Sequence, residues 1–398
     1  MNNFGTLYCY EMKKILKRRL IWITVGIMLV LIVGNFSFRL MGNYYVDGVL
    51  VDTNYHMFQT DSAYQKALDG RKIDQALLEE TFAGYARVPL NVENYSATEE
   101  YQLYARPYSE IFNFVRNTAN MTFARARDWT PDEAQLYQMR REQVEQEWEE
   151  ERLTEAEKDY WRKQELELEI PFVYAYKEAY SEMQYAFYTI GLLTLLTVAI
   201  CLSNVFPEEH IRRTDQLVLS SRYGKKLYWA KILAGTVFCA GVSLLFSICA
   251  LLTCFLIYGT KGFGAAFQLM YPDVPYHLSI GEAMLVAYGV MLVVAVFTGV
   301  FVMVFSEACR SNLATLGVVN GLIIVSMFVS LPPEKNQLLS QMWGYFPSEI
   351  LSTWELFDSR LVPFLGGFLR KTQFAFLLYP VLSVLMTIPG KFAYKRQI

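Results

Sequence analysis

Six stretches of about 18 or more residues with almost no charge, at 20–38, 184–206, 227–258, 283–306, 312–331 and 372–389, dominate this 398-residue chain. A run of that length crosses the roughly 30 Å hydrocarbon core of a bilayer as a helix. One soluble core of this size does not need six of them, and the chain is 53% hydrophobic and only 19% charged. The expected fold is an all-α integral membrane protein with six transmembrane helices.

Basic residues set the expected orientation. Lys13, Lys14, Lys17, Arg18 and Arg19 precede the first run, which by the positive-inside bias puts the N-terminus in the cytoplasm, and six crossings return the C-terminus to the same side. The loops then assigned inside carry 14 basic residues against five in the short outer loops. The first run is longer than a signal-peptide core and no small-x-small cleavage site follows it, so it reads as an uncleaved anchor. The six cysteines all lie in or beside the apolar runs, which implies no disulfide framework.

Three regions follow from this pattern. Residues 1–39 hold a basic N-terminal helix and span one, 40–181 form a large outer insert, and 182–398 carry spans two to six. The insert has 15 basic and 27 acidic residues, a net charge of −12, while the rest of the chain carries +9. Its helix signals are clear: Thr130 as N-cap before Pro131, Asp132 and Glu133, and a capping-box pair, Thr154 with Glu157, opening a helix that runs to about residue 170, before Pro171. Two or three packed helices are expected here rather than a β-rich domain, and 43–60 shows no regular pattern. The charge run EQEWEEERLTEAEKDYWRKQELELE at 145–169 reads as a solvated helix face laced by i to i+4 pairs.

The chain lacks the usual catalytic constellations. There is no G-x-x-x-x-G-K-[ST] loop to cradle a nucleotide, no G-x-S-x-G elbow, and no zinc spacing among His56, His210 and His277, so neither a catalytic residue nor a metal ligand is assigned. Glu182, Glu282 and Glu307 lie at span ends, and no carboxylate sits near a span centre, which argues against an ion-coupled transporter. Gly317 and Gly321 form a G-x-x-x-G on the fifth span, read first as packing within the chain and second as a dimer seam.

The stretch FPEEHIRRTDQLVLSSRYGKK at 206–226 is charged, short and flanked by spans. Pro207, Glu208 and Glu209 suit the first turn of a helix, and Ile211, Leu217, Val218 and Leu219 give it apolar contacts between Arg212, Arg213 and the lysines. Periodicity alone leaves open a helix that merely closes a hairpin on the lipid surface.

The acid pair after span two, the leucine-rich DQLVLSSR, Lys231 in WAKIL, and the basic helix YEMKKILKRR ahead of span one together resemble type-2 ABC exporter permeases. The aromatic segment at 340–371 resembles the short outer helices that dip back toward the membrane in that family. The resemblance covers everything except the acidic insert. It implies that Glu208, Glu209, Arg212, Arg213, Leu217 and Leu219 form a coupling helix for a separate ABC-type ATPase subunit. Lys13, Lys14, Lys17, Arg18 and Arg19 then belong to an interfacial elbow helix. It also implies a second permease chain, the same or different, ATP and Mg on the ATPase alone, contact with membrane lipid, and no nucleic-acid partner, in a bacterial plasma membrane. The competing reading is a membrane-anchored sensor or immunity protein whose acidic outer domain captures a cationic peptide. An integral-membrane enzyme would require a hydrophilic cavity holding Glu182 or Glu282 beside another titratable group.

Overall fold

The computed structural model describes residues 3–46, 49–89, 94–213, 224–329, 331, 336–352 and 356–395. An N-terminal helix α1 (Asn3–Leu16) turns into α2 (Arg19–Phe38), the first span. After the insert come α9 (Glu178–Leu202), the short α10 (Pro207–Ile211), α11 (Gly224–Tyr258), α12 (Ile280–Cys309), α13 (Asn312–Ser326), α14 (Gln337–Trp343) and α15 (Lys371–Lys395). Among the described residues, five helices are long and apolar enough to cross a membrane. The fifth apolar run, one of the six expected spans, forms a shorter helix: α13 has 15 helical residues and ends at Ser326, where the chain turns at 327–328. At 1.5 Å per residue that length falls short of the bilayer core.

α12 is the centre of the bundle, packed against α9, α11, α13 and α15. Its approach to α11 depends on missing side chains. A Cβ on Gly299 would lie 2.1 Å from Cys239 Sγ, and one on Gly235 would lie 2.2 Å from Met303 Sδ, with Leu202 of α9 beside both. Small residues let helices approach where lipid offers no hydrophobic driving force, so dispersion contacts must carry the packing. Gly317 and Gly321 are different, because a Cβ on either meets nothing within 4 Å. The expectation of intrachain packing at that G-x-x-x-G is therefore corrected: its face is open, and the seam runs through Gly235 and Gly299.

The insert holds more structure than two or three helices. Residues 43–53 form a hairpin of β1 (Asn43–Val46) and β2 (Val49–Thr53), antiparallel. Six helices follow: α3 (Asn54–Leu68), α4 (Gln75–Tyr85), α5 (Ser109–Thr118), α6 (Phe123–Asp128), α7 (Glu133–Glu150) and α8 (Glu155–Leu166). Aromatic residues supply its core, with Tyr85 stacked on Phe112 at 3.7 Å and Trp148 and Trp161 fully buried. The capping box of Thr154 and Glu157 forms as expected, although α8 ends at Leu166 rather than near 170. The start of α7 is corrected by two residues: Asp132, not Thr130, accepts from Gln135 N as the N-cap. Proline fixes the turn ahead of the cap instead of entering the first turn.

The charge run at 145–169 folds into the facing parts of α7 and α8. Arg162 pairs with Glu145 at 2.8 Å and Lys158 pairs with Glu149 and Glu155, so the run is spent on internal ion pairs. Buried polar contacts seat the insert on the span ends. Trp161 Nε1 donates to Ser359 O at 2.6 Å and Tyr176 hydroxyl to Tyr258 O at 3.1 Å, while Tyr276, in the loop between α11 and α12, packs its ring on Trp161 and donates to Asp358 O at 2.9 Å. Alongside the short helix α14, the segment at 340–371 holds a hairpin that the sequence did not suggest, β3 (Leu361–Phe364) with β4 (Gly367–Arg370). Leu365 and Gly366 have φ of 49° and 84°, the positive pair required by a two-residue turn matching strand twist. Arg360 and Lys371 both hold the buried carboxylate of Asp358, at 2.7 and 3.0 Å, and pin the hairpin base.

Two outcomes are expected. Gly299→Leu wedges α11 from α12 and lowers the melting temperature of the detergent-solubilised chain, at an overpacking penalty of about 1–3 kcal/mol, whereas Gly317→Leu leaves it unchanged in the isolated chain. The second outcome concerns Glu147 on α7, which is hydrogen-bonded to Asp273 between α11 and α12; burial and then the Asp273 charge push its carboxyl up to about 8. A raised carboxyl stabilises the fold fully below its ordinary value near 4.5 and loses that contribution as pH rises through about 8. Melting followed from pH 5 to 9 should therefore show Glu147→Gln flattening the alkaline decline seen in the parent.

Candidate functional site

At the end of the bundle remote from the insert, four elements meet on a cluster of charge. α10 begins as its sequence predicts, with Pro207 in the first position and Glu208 and Glu209 in the first turn. α1 lies along α11 and presents Glu11 and Lys14, three residues apart on its inner face, while Arg18 follows in the turn that opens α2. Lys231, less than two turns into the long α11 helix, points into the gap between them.

The geometry is that of a closed ion network. Lys231 Nζ, with no solvent exposure, lies 2.7 Å from Glu209 Oε1 and 3.0 Å from Glu11 Oε2, and donates to Val205 O at 3.3 Å. Lys14 Nζ reaches the same Glu209 oxygen at 3.3 Å. Arg18 pairs with Glu208 and donates to Asn204 O at 3.1 Å, and Arg212 reaches Glu208 from the solvent side at 2.8 Å. On the far face of α10, His210 Nε2 stands 3.4 Å from Glu307 Oε2, a carboxylate buried at the end of α12. The Phe206 ring lies under Lys231 at 5.6 Å and packs on Tyr228 and Tyr394, tying the cluster to α11 and α15.

The structure therefore divides the sequence-selected residues. Glu208 and Glu209 both turn inward, with only 12% and 9% of their side chains exposed. Ile211, Arg212 and Arg213 turn outward and are exposed. Arg213 has a positive φ of 54°, closing α10 as the chain leaves it. Leu217 and Leu219 lie outside the described residues. Of the elbow residues, Lys14 and Arg18 join the network, while Lys13, Lys17 and Arg19 are exposed. Lys231 and Glu307, placed by the sequence near span ends, are both buried. Both lie near helix ends, where α1 and α10 cover them. Glu11 was missed altogether; the signal available was a single acid at i−3 and i−7 from Lys14 and Arg18 in an otherwise basic helix.

Such a network holds α10 rigidly to two other elements. Breaking one partner of a buried charge pair strands the other, at about 3–5 kcal/mol. Lys231→Ala leaves Glu11 and Glu209 facing one another without their shared cation, and thermal melting of the purified chain should fall accordingly, while Lys13→Ala, on the exposed face of α1, should change it by less than about 0.5 kcal/mol.

The arrangement of spans, insert and charged loop can be set beside known families. A family model described as "ABC-2 family transporter protein" matches residues 18–346, from the start of the first span, through the insert, to just beyond α14. A search of curated proteins finds no match. The match covers most of the chain, and the protein belongs to the ABC-2 transporter family as a membrane-spanning, permease-type subunit.

Proposed function

We propose that the chain is the permease subunit of an ATP-driven exporter, with its N-terminus, C-terminus and α10 loop in the cytoplasm of a bacterial cell. It pairs with a second permease chain and takes its drive from a separate ABC-type ATPase that alone holds ATP and Mg. The observation that carries this reading is the buried Glu11–Lys231–Glu209 network with its Arg18–Glu208 neighbour. A solvated hairpin loop needs no such anchorage, since charged groups on a lipid surface are satisfied by water and headgroups. A loop that must move its own spans does need it, because the network turns displacement of α10 into displacement of α1 and α11 together.

In this reading Glu208 and Glu209 are positioning residues, and the outward Ile211, Arg212 and Arg213, with Leu217 and Leu219 beyond them, meet the ATPase. Closure of paired ATPase subunits on ATP draws the two loops together and shifts the bundle between two states; hydrolysis resets it. The open face at Gly317 and Gly321 of α13 suits close approach of the second chain.

The test is a mild-detergent pull-down from native membranes with mass spectrometry. An ABC-type ATPase should co-purify with the parent chain and be lost when Arg212 and Arg213 are both changed to Glu. Glu209→Gln should keep the ATPase bound while reducing its response to transport conditions. If no such ATPase accompanies the parent under several gentle conditions, the coupling reading fails and the anchored-sensor alternative takes its place.

A further inference from the structure

Two adjoining cavities of about 520 and 420 Å³ lie where the insert meets the ends of α2 and α9. They share a wall built from Arg39, Glu110, Asn113, Glu178 and Glu182. Two of its carboxylates already have cations: Arg39 pairs with Glu182, and Lys177 Nζ lies 3.3 Å from Glu110. Glu178 has no ion pair among the described residues. Its position in the first turn of α9 suits the helix dipole, but that role needs neither a cavity nor two further carboxylates beside it.

A second observation points to an occupant. Tyr174 is 2% exposed, lines the smaller cavity, and its hydroxyl has no hydrogen-bond partner among the described residues. A buried hydroxyl without a partner loses the hydrogen bonds it made in water. Burial first, then the charges of Glu110 and Glu178, hold its proton firmly, so those two carboxylates are the ones bearing on this tyrosine. In the larger chamber the charged lining is four carboxylates, Asp61, Glu110, Glu178 and Glu182, against Arg39 and Arg106. Aromatic faces complete it: Phe58 and Tyr258 meet edge to face at 5.2 Å, and Tyr101 also lines it. Carboxylates set among aromatic rings favour an organic cation.

We propose that an aliphatic ammonium group binds at the wall these two cavities share, with Glu178 as its charge partner and, from the smaller cavity, the Tyr174 hydroxyl as a further acceptor. The insert's net charge of −12 concentrates cations near the opening. The cavity meets the requirement for a polar chamber at Glu182, yet its acids are paired or face a ligand, and the site binds rather than catalyses. It lies at the opposite end of the bundle from α10, so it stands independently of ATPase coupling.

The experiment uses the full chain in nanodiscs with spermidine as probe. About 0.3 M salt screens surface attraction to a few ångströms. Spermidine should raise the melting temperature saturably. Glu178→Gln should weaken its apparent affinity about tenfold to a hundredfold, and Tyr174→Phe about threefold to tenfold, as loss of a charged and of a neutral hydrogen bond implies. Glu142→Gln, on the exposed face of α7, should leave affinity unchanged. The proposal is overturned if spermidine gives no saturable shift, if glutamate gives the same shift, or if the Glu178 and Tyr174 variants bind as the parent does. Should Glu178→Gln fail to fold, Tyr174→Phe decides. Because Glu178→Gln should still co-purify the ATPase, failure here and failure of the coupling reading are separable.

Discussion

A lysine with no access to water is the constraint around which the loop end of this bundle is arranged. An ammonium group withdrawn from water loses hydration that only nearby carboxylates and carbonyls can replace. Lys231 finds them on three separate pieces of chain: Glu11 on α1, Glu209 on α10, and the carbonyl of Val205 between α9 and α10. None of these partners can withdraw without exposing the others to an uncompensated charge. The helix that lies along the surface, the short helix between spans two and three, and the long third-span helix therefore move as one piece.

The opposite end is built on a different principle. There the spans stop in loops that could not fold alone, and the insert covers them with aromatic residues whose polar ends meet backbone carbonyls. Trp161 and Tyr176 of the insert each bury a ring and satisfy a hydrogen bond across the junction, and Tyr276, in the loop between α11 and α12, packs on Trp161. Where this seal is incomplete, the gap is lined by carboxylates and guanidinium groups beside aromatic and apolar side chains, and charged residues reach the first turns of α9. The molecule thus has one rigid, charge-locked end and one end with room for a polar guest, separated by a span core whose tightest seam depends on Gly235 and Gly299.

Spans were legible because hydropathy over 18 or more residues reports a requirement of the solvent, namely that a helix in hydrocarbon satisfies its own backbone. The capping box at Thr154 and the start of α10 at Pro207 were legible for a similar reason, since caps are local chemistry. The hairpins at 43–53 and 361–370 were not. Their strands are four or five residues long, and Tyr44 or Val362 is placed by cross-strand partners and by the insert or spans behind them. Gly317 and Gly321 carried a packing motif without packing, whereas Gly235 and Gly299 pack without a motif, because close approach belongs to a pair of helices and no single helix encodes it.

What the sequence determined by itself was the class of molecule: a membrane-spanning helical chain with an acidic insert and a short charged loop, set by hydropathy, charge and capping, all of which act over a few turns. Tertiary structure decided which charges face which. Glu208 and Glu209 sit in a loop whose composition suggests exposure, yet they turn inward because Lys231, 22 residues beyond Glu209, and Lys14 and Arg18, nearly 200 residues before it, converge there. The same holds for Glu178 and Tyr174 at the other end. Electrostatic pairing in a low-dielectric interior acts through space over a few ångströms, and distance along the chain carries no record of it.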